Sequence, residues 1–492
     1  MRTSKLRRQR LRELAQAGSY AEWKQVADAL DELDGGRDWK LDDSCEDYDD
    51  VLIRQRLHEL RSLRESGEVR RLVFALHEGL HGNIGNISNP ALYSVARVGT
   101  KQLIEHYVGE VCRCLDYICA GDFPDFSDNE KVLFFKRTGT VFGRTALMLS
   151  GGATLGMFHL GVIKALLEQG LLPRVISGSS AGSIIAGLVG VRTDEELRAV
   201  FEPGGLNLEA FERVSLKQAL RKGALMDPEA LKSCLELNVG ELSFEQAFER
   251  SRRIIGVTVS PAEPHQQGRL LNYLTAPNVM MHSAILASCA VPGVFPPVML
   301  EARDFEGRIV PYMPSMRWMD GTMSADLPAL RLARLHNVNH YIVSQTNPHI
   351  VPFMTDKLPK SGVAPFAREL ISSSSRNALE LAQRHFDRSG SGRVVNKLHN
   401  VVRQRYSGDI NIFPSQSPRQ LMRMFSNPSA DDIHAYIRAG ERATWPKLER
   451  IRIQTRISRA FENSLIWLKA QRRDQHQPGS AADRRRKMRA VS

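Results

Sequence analysis

Cysteine is scarce in this sequence, and nothing in its placement gives it special work. Six cysteines in 492 residues cannot staple so long a chain, which excludes a disulfide scaffold. Cys112, Cys114 and Cys119 cluster in "EVCRCLDYIC". That spacing has no second half and no companion histidines, so it reads as packing in a helix rather than metal binding. Long apolar runs are also missing, and no stretch is long enough for a spanning helix. No apolar segment follows the basic residues at the start, so no signal peptide is read there. The expectation is an intracellular protein, cytoplasmic or peripheral on a membrane or lipid surface.

Acidic residues fall short as well. Asp and Glu number 55 against 67 Lys and Arg, a net charge of +12. Part of the excess sits in "MRTSKLRRQRLREL" at the start and "ADRRRKMRAVS" at the end. Such ends can meet nucleic acid or an anionic membrane. Taken alone, the two ends read first as a solvated helix and a disordered tail. There is no zinc-finger spacing and no basic region followed by heptads, so no nucleic-acid partner is expected.

What is present is ample apolar material, 42% of residues, enough for a large core. Residues 1–140 read as a helical domain. "SYAEWKQVADALDELDG" has an apolar stripe at helical spacing, with Ser19 as N-cap and Gly35 as stop. "TKQLIEHYVGEVCRCLDYICAGD" has a broader apolar face, including Leu103, Ile104, Tyr107, Val108, Val111, Leu115 and Ile118. Packing is the expected use of that face.

The character changes near residue 140. "TALMLSGG" and "PRVIS" read as buried strands, and "MFHLGVIKALLEQG" and "SIIAGLVGV" as the helices that follow them. Alternation of this kind predicts an α/β domain over 145–350 with a mostly parallel sheet. "RRIIGVTVS" and "VNHYIVSQT" read as further strands, with "VMMHSAILASCA" as a helix between them. A mostly helical extension is expected over 351–472, with "GDINIFP" as one late strand, and a basic disordered tail over 473–492.

Three features carry chemistry. The first is the strand-to-helix loop "SGGATLG", whose free backbone N–H groups would attract a phosphate or a developing oxyanion. It lacks the dinucleotide spacing, and no P-loop lysine follows. The second is Gly178-Ser179-Ser180-Ala181-Gly182 between a strand and a helix, the context of a nucleophile elbow. Ser180 would sit at a helix N-terminus with its hydroxyl exposed. The third is Asp320 in "WMDGTMSADLP". Alone it reads as a turn residue; beside Ser180 it is a candidate base. None of the 14 histidines stands where a serine hydrolase would place its base.

In order and spacing these features resemble the patatin-like lipid acyl hydrolases, over about residues 145–345. "ASCAVPGVFPPV" is similar to a further block that the family carries before its Asp-Gly. The N-terminal helices, "SGGATLGMFHLGV" and "GERATWPKLERIR" extend the likeness to about residue 455. They look like the patatin-type triacylglycerol lipases of yeast and plants, in which a helical domain of unknown function precedes the catalytic one.

The resemblance implies a patatin-like three-layer sandwich with helical N- and C-terminal extensions. It implies Ser180 as nucleophile, Asp320 as its only catalytic partner, and Gly151, Gly152 and Ala153 as the oxyanion hole, with Gly178 and Gly182 shaping the elbow. No metal and no organic cofactor is implied. The substrate implied is a glycerolipid, most of all triacylglycerol, met at a membrane or droplet surface. A phospholipase, lysophospholipase or transacylase of the same fold, or an inactive lipid-binding protein, is the alternative. Two positions depart from the family pattern: Ala153 replaces a frequent third glycine, and Leu155 replaces a frequent Arg or Lys. The lost cation favours neutral glycerides over phosphate head groups. The sequence leaves the oligomeric state open.

Overall fold

The computed structural model describes residues 2–202, 205, 228–263, 266–322, 326–348, 350–351, 354, 407–415 and 426–476. The sequence-predicted helix at 366–386, the loop at 388–393 and the basic C-terminal end lie outside the described residues. The chain divides into two compact units, Met1–Arg144 with Leu448–Ser492, and Thr145–Lys447. The stretch expected as one C-terminal extension is therefore shared between them.

The first unit is helical. Its elements are α1 (Arg2–Gln16), α2 (Tyr20–Leu33), α3 (Gly36–Leu41), α4 (Asp50–Glu65), α5 (Val69–Gly79), α6 (Gln102–Ala120), α7 (Asp128–Phe142) and a closing helix, Leu448–His476. Side chains explain where these helices begin. Ser19 accepts the Glu22 N–H ahead of α2. Ser127 and Glu130 cap α7 reciprocally, which satisfies two N–H groups that the helix itself cannot. The apolar face of α6 enters the core with Ile53, Leu60, Leu72, Phe135, Ile457 and Phe461. Its three cysteines are buried free thiols. The closing helix continues to His476, a few residues into the stretch expected to be disordered.

The second unit is α/β. Its strands are β1 (Arg144–Leu149), β2 (Val175–Gly178), β3 (Ile254–Pro261), β4 (Arg269–Leu271), β5 (Leu300–Arg303), β6 (Ile309–Tyr312), β7 (Trp318–Asp320), β8 (Val338–Ser344) and β9 (Ile410–Ile412). Among the described residues one sheet runs β4-β3-β2-β1-β8-β9, with β7 also paired to β3. β1–β2, β2–β3 and β8–β9 are parallel, while β3–β4 and β3–β7 are antiparallel. β5 and β6 form a separate hairpin. β4, β5 and β7 carry no β-branched residue and Pro311 interrupts β6, so these short strands were not legible in the sequence.

The helices of this unit are α8 (Phe158–Glu168), α9 (Ala181–Gly190), α10 (Asp194–Ala199), α11 (Pro228–Val239), α12 (Phe244–Ser251), α13 (Met281–Cys289), α14 (Ala329–His336) and α15 (Ala430–Thr444). Successive side chains of a strand leave opposite faces. Ile254 joins a buried cluster with Ala146, Met148, Val175 and Leu332 of α14. Its neighbour Ile255 lies against Gly190 of α9. Helices thus cover both faces of a mostly parallel sheet. No helix among the described residues is long and apolar enough to cross a membrane.

Candidate active site

Three loops meet at the ends of β1, β2 and β7. The loop after β2 is the tightest. Ser180 precedes α9 with φ 49 and ψ −126, a region costly for a residue with a Cβ, by roughly 1–3 kcal/mol. Such strain at a strand-to-helix serine is the geometry of a nucleophile elbow. The turn closes only because its flanks lack side chains. A Cβ on Gly178 would run into the Gly182 carbonyl, and one on Gly182 into the Leu149 carbonyl. Ser180 donates its backbone N–H to Ser288 Oγ at 2.9 Å. Its carbonyl accepts the Ser183 hydroxyl at 2.6 Å. The residue is only 8% exposed, so the serine expected to present an exposed hydroxyl is buried beneath the loops that meet there.

Asp320 ends β7. Its backbone N–H donates to the Ala290 carbonyl at 3.0 Å, and its Oδ1 accepts the Thr322 N–H at 2.7 Å. Oδ2 is buried with no hydrogen-bond partner among the described residues. Burial pushes this carboxyl up to about 6, opposed in part by Thr322 and by the nearby Ser180 hydroxyl. A carboxylate with one bound and one free oxygen is poised to accept a proton. The block "ASCAVPGVFPPV" now has a physical role: Ser288 holds the elbow, and two residues on Ala290 holds Asp320.

The glycine loop follows β1. Gly151 lies beside the elbow, and a Cβ there would sit 3.3 Å from Ser180 Cβ. Ala153 takes φ 49, so the alanine that departs from the family pattern occupies a conformation glycine would reach without strain. The three N–H groups expected to act together are not equivalent. That of Gly151 donates to Asp326 Oδ1 at 2.9 Å, which commits it within the protein. The Gly151 carbonyl accepts Thr346 Oγ1 and Ser150 Oγ, each at 2.9 Å.

His159 is buried behind this loop. Its Nε2 meets the Ser150 carbonyl at 3.0 Å and its Nδ1 the Ser344 hydroxyl at 2.7 Å. A carbonyl only accepts, so Nε2 carries the proton. Burial brings the ring down to about 4, which keeps it neutral at working pH. Its polar atoms serve the loop.

Sequence reasoning missed Asp326, Ser288 and Asn347 as parts of this site, and read His159, near the glycine loop, as a core or surface residue. Asp326 and Ser288 both lie in stretches singled out for other residues. The available signal was a polar side chain in an apolar setting, which turns and surfaces also produce. No three His, Cys, Asp or Glu side chains gather into a metal-holding group among the described residues.

A family model described as patatin-like phospholipase matches residues 147–333, which spans all three loops. A second, described as a domain of unknown function (DUF3336), matches residues 1–140. The chain belongs to the patatin-like phospholipase family and is a carboxylic ester hydrolase, a lipid acyl hydrolase by class. It is 38% identical over 446 residues to triacylglycerol lipase ptl3 of Schizosaccharomyces pombe, covering 88% of this chain and 92% of that one. It is 34% identical over 483 residues to triacylglycerol lipase ptl2 of the same organism, covering 92% and 75%. It is 35% identical over 473 residues to triacylglycerol lipase SDP1L of Arabidopsis thaliana, covering 92% of this chain and 58% of that protein.

Proposed function

We propose that the chain hydrolyses triacylglycerol through a Ser180–Asp320 dyad and an acyl-enzyme. Ser180 Oγ attacks the ester carbonyl carbon as its proton passes to Asp320 Oδ2. The carbonyl oxygen, now an oxyanion, is met by the N–H groups of Gly152 and Ala153. Collapse breaks the ester bond, and the departing glyceride oxygen takes the proton from Asp320. Water then gives its proton to Asp320 and attacks the acyl-serine. The second collapse returns the proton to Ser180 and frees the fatty acid. The observation that carries this reading is a buried carboxylate with a free oxygen beside a strained, buried serine. The relatives' printed activity supports the choice of substrate, as does Leu155 in place of a phosphate-seeking cation.

Such an enzyme must work at a lipid surface. α1 displays Arg8 and Arg12 with exposed Leu6 and Leu11, a combination suited to an anionic interface. Flotation with anionic vesicles should show binding that weakens with salt; binding indifferent to salt and to anionic lipid would remove this role. The test of the reaction is fatty-acid release from triolein and from phosphatidylcholine, with wild type and Ser180→Ala. Release from triolein, lost in the variant, is expected. Release mainly from phosphatidylcholine would move the substrate and keep the dyad. Full activity in Ser180→Ala would overturn the nucleophile.

A further inference from the structure

Asp326 is a buried carboxylate that the dyad leaves unused. It lies on the loop after β7 and is 1% exposed. One oxygen accepts the Gly151 N–H at 2.9 Å. The other accepts the Asn347 side-chain N–H, and the Asp326 backbone carbonyl accepts the Ser179 hydroxyl at 2.7 Å. A single residue therefore ties together the glycine loop after β1, the elbow after β2 and the turn after β8. Burying a carboxylate is costly, and an apolar residue would fill the same space without that cost.

We propose that Asp326 is a positioning residue for the acyl-transfer reaction, which fixes the glycine loop through Gly151 and thereby aims the N–H groups of Gly152 and Ala153 at the reacting carbonyl. The inference rests on the Ser180–Asp320 reading. Its physical basis is the planarity of the peptide bond. The Gly151 carbonyl is pinned by Thr346 and Ser150. The Gly152 N–H belongs to the same peptide and points the opposite way. With the Gly151 N–H pinned by Asp326, the peptides on both sides of Gly151 are held. Ala153, strained at φ 49, would otherwise relax and turn its N–H away.

A second consequence is electrostatic. Asp326 is pushed up to about 7, chiefly by burial and further by the charge of Asp320. Asp320, raised to about 6, therefore ionises first, and only above about pH 7, where Asp326 also carries charge, does their repulsion make Asp320 a stronger base. The other titratable groups around the pair do not supply charge. Cys289 on α13 is pushed up by burial, and His159 on α8 is held neutral. Gln345 and Asn347 after β8 and Ser179 at the elbow are uncharged.

The test is steady-state hydrolysis of a soluble short-chain ester by Asp326→Ala and Asp326→Asn, with Ser180→Ala as reference, from pH 4.5 to 9. Asp326→Ala should lose about a hundredfold in kcat, the scale of a lost oxyanion donor, with KM within about threefold. Asp326→Asn keeps an oxygen for the Gly151 N–H and should recover at least tenfold of that loss. Wild-type kcat/KM should show a second inflection near pH 7, where Asp326 ionises after Asp320, and Asp326→Asn should lack it. Wild-type kcat in Asp326→Ala would overturn the proposal. So would an equal loss in both variants, with the inflection near pH 7 kept in Asp326→Asn and lowered thermal midpoints, the mark of a purely structural role. Should Asp326→Ala fail to fold, the presence or absence of the inflection near pH 7 in Asp326→Asn decides alone. If Ser180→Ala keeps activity, the dyad falls; if it is inert while both Asp326 variants match wild type, only the positioning role falls.

Discussion

Gly178 and Asp320 lie along the same edge of β3. Gly178 stands opposite Val257 in the parallel pair with β2, and Asp320 stands opposite Val259 in the antiparallel pair with β7. The far edge of β3 is taken by β4, which pairs with the same Val257 and Val259. β7 therefore continues the line of β2 beyond its end, and the two sites on β3 are only about 7 Å apart along the strand. Two segments distant in sequence thus bring a serine and a carboxylate together, because one strand serves both as a template.

Ser288 should matter to both stability and turnover. Its hydroxyl oxygen is the partner of the Ser180 N–H, and Ser288 itself is fully buried. Ser288→Ala leaves that N–H without a partner in the interior, which costs about 1–3 kcal/mol. The elbow is already strained, so the loss should fall on it first. Thermal unfolding should show a lower midpoint, and ester hydrolysis a kcat reduced about tenfold or more. Wild-type values for both would mean that Ser180 is held by other means.

Asp320→Asn should remove activity without removing stability. A carboxyl raised from 3.8 to about 6 by burial binds its proton more tightly in the folded state than in the unfolded one. Its contribution to stability is therefore greatest below about 3.8 and falls as pH rises towards 6. By pH 8 the ionised group costs roughly 3 kcal/mol. The amide avoids that charge but brings a buried N–H₂, so the net gain is smaller than this. Wild-type kcat/KM should rise with pH through about 6, as the base ionises. Asp320→Asn should be inert at every pH and melt no lower than wild type at pH 8. Retained activity would exclude Asp320 as the base.

The sequence made the long elements legible, and the chemistry within them only in part. β1, β2, α8 and α9 were readable because buried runs and helical stripes are local signals. The elbow was readable because a sharp strand-to-helix turn demands small residues at fixed spacing. The commitment of the Gly151 N–H was not, since it depends on Asp326, which folding brings in from the far side of β7. The same holds for Ser288, whose partner is a backbone group that no side-chain pattern announces. The division of the last helices between two units was hidden for a related reason: amphipathic stripes tell that a helix is packed, not what it packs on.

His159 offers a direct test of whether any histidine acts as base. Both ring nitrogens are engaged, with the Ser150 carbonyl and the Ser344 hydroxyl. In His159→Gln the amide can donate to the carbonyl and accept from the hydroxyl. Activity should stay within about tenfold of wild type, whereas loss of a catalytic base costs about 10³ or more. The acid limb of kcat/KM should also stay in place. A collapse of kcat in a stably folded His159→Gln protein would return the base to histidine.

α8 and α15 cross at close range. α15 lies beyond the 147–333 family match, yet it meets α8 backbone to backbone. A Cβ on Gly161 would run into the Ile437 carbonyl, and one on Gly440 into the Phe158 carbonyl. Close approach is thus the main bond between the two helices, and glycine is its condition. A salt bridge between Lys164 and Glu441, 2.8 Å long, marks the same crossing. Lys164 is 30% exposed there, so the pair is worth at most about 1 kcal/mol. Gly440→Val should force the helices apart and cost about 3 kcal/mol or more, as overpacking in a rigid interior does. Lys164→Met should cost less than about 1 kcal/mol. Thermal unfolding of the two variants separates these effects. A fall of several degrees in Gly440→Val beside a near-unchanged Lys164→Met would show that packing, not charge, fastens α15 to the catalytic unit; the reverse order would show that the helices have room to part.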